Sequence, residues 1–149
     1  EITESIAATN ATAIGERMNA LRQIGVRFSM DDFGAGYSNL ATIARLPFDT
    51  IKIDRSLTHG VARDAERQTI LRAAISLARD LGFETVVEGI EDAGDLRFAA
   101  DTGATYVQGY IFSPPVPYDK LVAMLDPKAM LGHAPSPAQW RRLRGASAA

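Results

Sequence analysis

One rhythm constrains this chain more than any other feature: strand-like, loop-like and helix-like stretches follow one another four times. The strands read as Val26 to Met30, Thr50 to Asp54, Phe83 to Val87 and Ala104 to Val107. Helical spacing marks Ala11 to Gln23 through Ile14, Met18 and Leu21, and Asp64 to Leu81 through Ile70, Leu71, Ala74, Leu77 and Ala78. Shorter helices are expected over Asn39 to Arg45, Ala93 to Thr102 and Val116 to Leu125, and Glu1 to Ser5 reads as the end of a strand and the loop leaving it. Gly25, Gly82 and Gly103 follow three of these helices, and Pro47 stops another. Alternation of this kind is the signature of an α/β chain, a parallel sheet wrapped by helices.

Each strand ends in an unusual polar residue, and the ends of parallel strands are where α/β folds place their sites. Asp31-Asp32 closes the first strand, ahead of a loop with Gly34 and Gly36; Asp54-Arg55 closes the second, Glu88-Gly89 the third and Gln108-Gly109 the fourth. Adjacent strand residues point to opposite faces, so Asp31 and Asp32 can share a site only where the backbone turns. Two crowded carboxylates repel unless a cation lies between them. Lys52 sits between Ile51 and Ile53, in a strand expected to be buried on both faces, and a lysine there needs a charge partner or a task. The chain has no cysteine, which excludes disulfides and thiolate metal sites. Its net charge of −2 does not suit extended nucleic acid, and no apolar run reaches membrane-spanning length.

The oxygen ligands Glu1, Asp31, Asp32 and Glu88 suit magnesium or manganese, with two ions expected. A metal pair activates water and neutralises charge on a phosphate, and Lys52 would hold that water or a phosphate oxygen. Phosphodiester hydrolysis is the reaction class these residues favour. An enolase-like metal enzyme is the rival, although it would place single acids on successive strands. Gln108 could read a base edge or a phosphate, or satisfy backbone groups. His59 and His133 read as solvated, and Pro114-Pro115-Val116-Pro117 as a rigid connector at the site's rim.

Five motifs together resemble the EAL-domain cyclic di-GMP phosphodiesterases of bacteria. They are Glu1-Ile2-Thr3-Glu4-Ser5, Asp31 through Ser38, Leu46-Pro47-Phe48-Asp49 with Ile51 to Arg55, Val87-Glu88-Gly89-Ile90-Glu91, and Gln108-Gly109-Tyr110. The resemblance covers about residues 1–125. It implies a (β/α)8 TIM-like barrel, of which this chain holds roughly the C-terminal half, hydrolysing cyclic di-GMP to linear pGpG with Mg2+ or Mn2+. It implies metal ligation by Glu1, Asp31, Asp32 and Glu88, and catalytic roles for Lys52, Glu88 and Asp32. Gln108, Glu91 and Pro114 would bind substrate, and Glu4 would anchor the loop from Asp32 to Ser38, which couples the site to a dimer interface in the family. Val87, Asp92 and Pro114 depart from the usual alanine, threonine and lysine. The family's Glu-Ala-Leu motif and asparagine ligand lie upstream of Glu1. The chain alone is therefore expected to be inactive, and either part of a longer polypeptide with N-terminal signalling domains or a self-associating half-barrel. A homodimer in the cytoplasm, or at its membrane face if an anchor lies upstream, is the expected setting. A degenerate domain that only binds cyclic di-GMP is the main alternative. Residues 126–149, with Pro135, Pro137 and the basic run from Trp140 to Arg144, are expected to form a disordered tail.

Overall fold

The computed structural model describes residues 1–36 and 44–125. The chain divides into two compact units, residues 1–111 and 112–149. The first carries a five-stranded sheet of β1 (Ile2–Thr3), β2 (Ser29–Phe33), β3 (Thr50–Ile53), β4 (Glu84–Val87) and β5 (Tyr106–Val107), paired in chain order and parallel throughout. Its helices are α1 (Glu4–Thr9), α2 (Ala11–Arg22), α3 (Arg55–Thr58), α4 (Ala65–Asp80) and α5 (Ala93–Asp101), with a 3-10 turn over Val61–Arg63. In the second unit α6 (Tyr118–Met124) starts after Pro117, whose fixed φ suits a helix entry. The expected helix over Asn39 to Arg45 falls largely, and the tail from residue 126 entirely, outside the described residues. His59 is exposed, and His133 lies in the undescribed stretch.

The helices start where side chains supply the missing acceptors. Asp64 accepts from the Glu66 and Arg67 amides at the head of α4, and Asp92 from Gly94 and Asp95 at the head of α5. Asn10 accepts from Ala13 N at the start of α2, which separates it from α1, a helix formed where a loop was expected. On α4 the buried stripe is Leu71, Ala74, Ile75 and Ala78, the i, i+3, i+4, i+7 set, and Ile70 is exposed instead. That stripe belongs to the same core as Met30, Ile51, Ile53 and Val87 of the sheet, with Val61, Ile90, Leu96 and Ala99. Each fully buried aliphatic side chain contributes about 1.5–3 kcal/mol before entropy is counted.

Three differences from the sequence reading matter for the site. Strand β2 begins at Ser29 and runs through Phe33, three residues later than expected, because Ile24, Gly25 and Val26 remain hydrogen-bonded to the end of α2. Strands β3 and β4 are buried on one face only: Ile51, Ile53, Thr85 and Val87 are buried, while Thr50, Lys52, Glu84 and Val86 are half-buried. Strand β5 starts at Tyr106, because Thr85 and Thr105 replace the ladder beside it. Each backbone amide donates to the other residue's Oγ1, at 3.1 and 3.0 Å.

Candidate active site

Lys52 is the centre of the carboxyl-end face of the sheet. Its Nζ lies 3.1 Å from Glu1 Oε1, 2.9 Å from Asp31 Oδ1 and 2.8 Å from Glu88 Oε1. The acids come from the strand next to β3 on one side (Asp31), the chain just past β4 on the other (Glu88), and the residue before β1. Parallel pairing sets this up: the register places Thr3 beside Asp31 and Lys52 beside Val86. The Lys52 side chain is 14% exposed, against 24% for Asp31, 17% for Glu88 and 59% for Glu1. Burial works to lower the Lys52 pKa, but its hydrogen bonds to Glu88, Asp31 and Glu1 outweigh it and hold the ammonium well above its ordinary value.

Asp32 is handled differently. Its φ of 58° makes it the one non-glycine residue with positive φ among the described residues, and the β2–β3 register shifts between Met30 and Phe33. This bulge is how the chain escapes strict alternation and re-aims one of two neighbouring carboxylates. Asp32 is exposed and is not among the acids at Lys52 Nζ. Behind the bulge, Glu4 is 7% exposed and its Oε2 accepts from Gly34 N at 3.3 Å. Gly34 has φ 94°, and a Cβ there would run into Leu57 of α3. Tyr37 and Ser38, the end of the expected mobile loop, lie outside the described residues.

A cleft of about 180 Å³ opens beside Glu88, lined by Asp54, Arg55, Gly89, Glu91, Gln108 and Tyr110 among others. That is less than the 300–1,000 Å³ typical of a pocket enclosing a whole small-molecule ligand. Arg55 Nη2 stands 3.9 Å from Glu91 Oε1, an exposed and loose pair. The Gln108 backbone is paired, its N–H to Val87 O and its carbonyl to Ile90 N, and its side chain is exposed. Asp54 caps α3 through Ser56 N. Burial works against the charged form, but the bonds from Ser56 and Arg55 win and hold its pKa below the usual carboxylate range. Pro114 belongs to the second unit. The sequence marks Asp54 and Arg55 as a strand-end polar pair and Tyr110 as part of the Gln108-Gly109-Tyr110 motif, none of them with an assigned role. Their signal was position, directly after Lys52-Ile53 and Gln108-Gly109 at two strand ends.

A model of the EAL domain family matches residues 1–115. The chain belongs to the EAL domain family. Over 125 residues it is 38% identical to the cyclic di-GMP phosphodiesterase NbdA of Pseudomonas aeruginosa, covering 84% of this chain and 16% of that protein. It superposes on the crystal structure of the EAL domain of Mycobacterium smegmatis DcpA with a TM-score of 0.78 at 33% identity, covering 83% of this chain and 56% of that one. With Klebsiella pneumoniae BlrP1, in a manganese and cy-diGMP (cyclic di-GMP) complex, the TM-score is 0.70 at 33% identity, covering 76% of this chain and 29% of that one. The EAL chain described here thus spans about a sixth of the length of the relative NbdA. Its five parallel strands form part of a TIM-like EAL barrel, as the motifs implied.

The donor set of this EAL site fits a hard divalent cation in kind, since carboxylate oxygens converge from three segments without sulfur or imidazole. Among the described residues no three acids are spaced to hold a metal ion by themselves, and the ammonium of Lys52 lies within 3.1 Å of Glu1, Asp31 and Glu88 alike. A cation and Lys52 would compete for the same oxygens.

Proposed function

We propose that this chain supplies part of the active site of a metal-dependent phosphodiesterase that hydrolyses cyclic di-GMP to linear pGpG. The observation that carries the reading is the convergence of Glu1, Asp31 and Glu88 on Lys52 Nζ at the carboxyl ends of parallel strands. The family and the relatives named for cyclic di-GMP hydrolysis or complexed with it support the substrate. Glu1, Asp31, Asp32 and Glu88 are the residues that would hold Mg2+ or Mn2+, Asp32 being turned into an exposed position by its bulge. Such ions, two in this reading, supply a water of lowered pKa and neutralise charge on the phosphate.

The remaining steps belong to the chain itself. Lys52, kept charged by its carboxylate partners, donates to the attacking water or a phosphate oxygen as negative charge grows there. Glu88, one residue past β4, orients the ammonium from one side, and Asp31 of β2 from the other. Glu91 and Gln108 line the cleft and present acceptor and donor groups to a base edge, while the substrate contact of Pro114 rests on the family motif alone. Glu4 holds the Gly34 turn, and through it the loop that links the site to a homodimer contact. The protein works in this reading with signalling domains N-terminal to the EAL domain and in the cytoplasm or at its membrane face. Among the described residues no helix is long and apolar enough to cross a membrane. The test is hydrolysis by the intact protein: pGpG formed with Mg2+ or Mn2+ and lost on chelation. Tight binding of cyclic di-GMP without pGpG would instead make it a receptor.

A further inference from the structure

We propose that Thr58 is a positioning residue for Glu88, a role that rests on the phosphodiesterase reading of the site. Glu88 stands one residue past β4. Its N–H still donates to Ile53 O at 3.1 Å, but its carbonyl has left the ladder. Among the described residues the donor that carbonyl finds is the hydroxyl of Thr58, the last residue of α3, which is 0% exposed. A hydroxyl has one proton to give. The other acceptor within reach, Arg55 O at 3.3 Å, already takes His59 N at 2.9 Å, so the Glu88 carbonyl is where the proton is needed.

The contact is built from both sides. Gly89 has φ 69°, and a Cβ there would run into the Arg55 side chain, so α3 lies directly against the Glu88-Gly89 backbone. Behind Thr58, the carboxylate of Asp95 on α5 is 1% exposed and clamps the following turn, accepting from Gly60 N and Ala62 N at 2.8 Å each. Asp95, the turn, Thr58 and Glu88 form one line from the helical layer to the carboxylate that lies 2.8 Å from Lys52. Glu88 projects from the end of a strand, so a small rotation of its backbone displaces its carboxylate by more. Outer contacts of this type hold a ligand or catalytic group in its working orientation. A threonine serving only to fill the core would affect stability and leave the chemistry alone.

In the intact protein Thr58→Val removes the donor at nearly constant shape, and Thr58→Ser returns it. The valine variant is expected to lower kcat for cyclic di-GMP by about 10–100-fold with KM little changed. It should also weaken Mn2+ binding, read by electron paramagnetic resonance, and speed amide exchange at Glu88 and Ile90 relative to α4, with serine restoring all three. A valine variant with wild-type kcat, Mn2+ affinity and exchange overturns the proposal, as does a serine variant impaired to the same extent as valine. If the wild-type protein does not hydrolyse cyclic di-GMP, the phosphodiesterase reading falls by itself. Exchange at Glu88 and Ile90 then decides Thr58 alone: faster in valine and restored in serine supports it, and unchanged in valine overturns it.

Discussion

Replacing Lys52 by methionine keeps the apolar stem and removes the charge on which three carboxylates converge. At an effective dielectric near 20, one ion pair at 3 Å is worth about 5 kcal/mol before desolvation is subtracted. Glu1 is 59% exposed, so water screens it and its share is small; Asp31 and Glu88, at 24% and 17%, carry the effect. Breaking a buried pair by removing one partner costs about 3–5 kcal/mol, and the residual water access of these acids places Lys52→Met at the lower end, about 3 kcal/mol. A divalent cation competes for the same oxygens, so the loss should shrink when it is present. Linkage allows about 2.7 kcal/mol of recovery at one hundred times the dissociation constant. The assay is native-state exchange at the β3 amides of the intact protein, in chelator and in Mn2+, with turnover of cyclic di-GMP measured alongside. Turnover should fall by roughly 10²–10³-fold even in Mn2+, as for loss of a donor to a charged transition state. Equal stability of variant and wild type in chelator would refute the electrostatic reasoning. A loss identical with and without Mn2+, at full turnover, would make Lys52 a purely structural ion-pair partner.

Asp32→Asn should abolish turnover with little change in unfolding midpoint, because Asp32 is exposed and outside the Lys52 cluster; hydrolysis near the wild-type rate in Mg2+ would remove Asp32 from the metal set. Glu4→Ala should speed amide exchange at Gly34 and lower activity, since the buried carboxylate that accepts from Gly34 N is lost; unchanged protection there counts against an anchoring role. The response to pH should be one-sided at each end. The Lys52 pKa is raised, so its stabilisation is complete below its ordinary value of 10.5 and is lost only as pH rises through the higher folded value. The Asp92 pKa is lowered by its bonds from the Asp95 and Gly94 amides, and that of Asp54 by its bonds from Ser56. Their stabilisation is therefore present above 3.8 and lost as pH falls through the folded values. A flat stability profile between about pH 5 and 9 for Lys52→Met minus wild type checks that the Lys52 contribution is complete below 10.5.

The α/β class, the order of the strands and longer helices, and the gathering of polar residues at strand ends are legible in the chain alone. Those follow from local rules: period-2 and period-3.6 patterns and glycines after helices. The sequence also pointed to Asp31, Lys52 and Glu88, because charges within or closing apolar runs stand out without any knowledge of neighbours; Glu1, at a strand exit, joined them only through the ligand set and the motif match. The tertiary structure decided what those charges do to one another. Parallel register brings Asp31, Lys52 and Glu88 from three adjacent segments to within hydrogen-bonding distance, and no local pattern encodes register across chain separations of 21 and 36 residues. The bulge at Asp32 was equally hidden, since a positive φ at aspartate is set by the neighbouring strand and the Gly34 turn more than by the residue. Thr58 and Asp95 gave no signal at all. A threonine near the end of a short helix and an aspartate in the first turn of another are ordinary in sequence, and only the packing of α3 against Gly89 turns them into supports for Glu88.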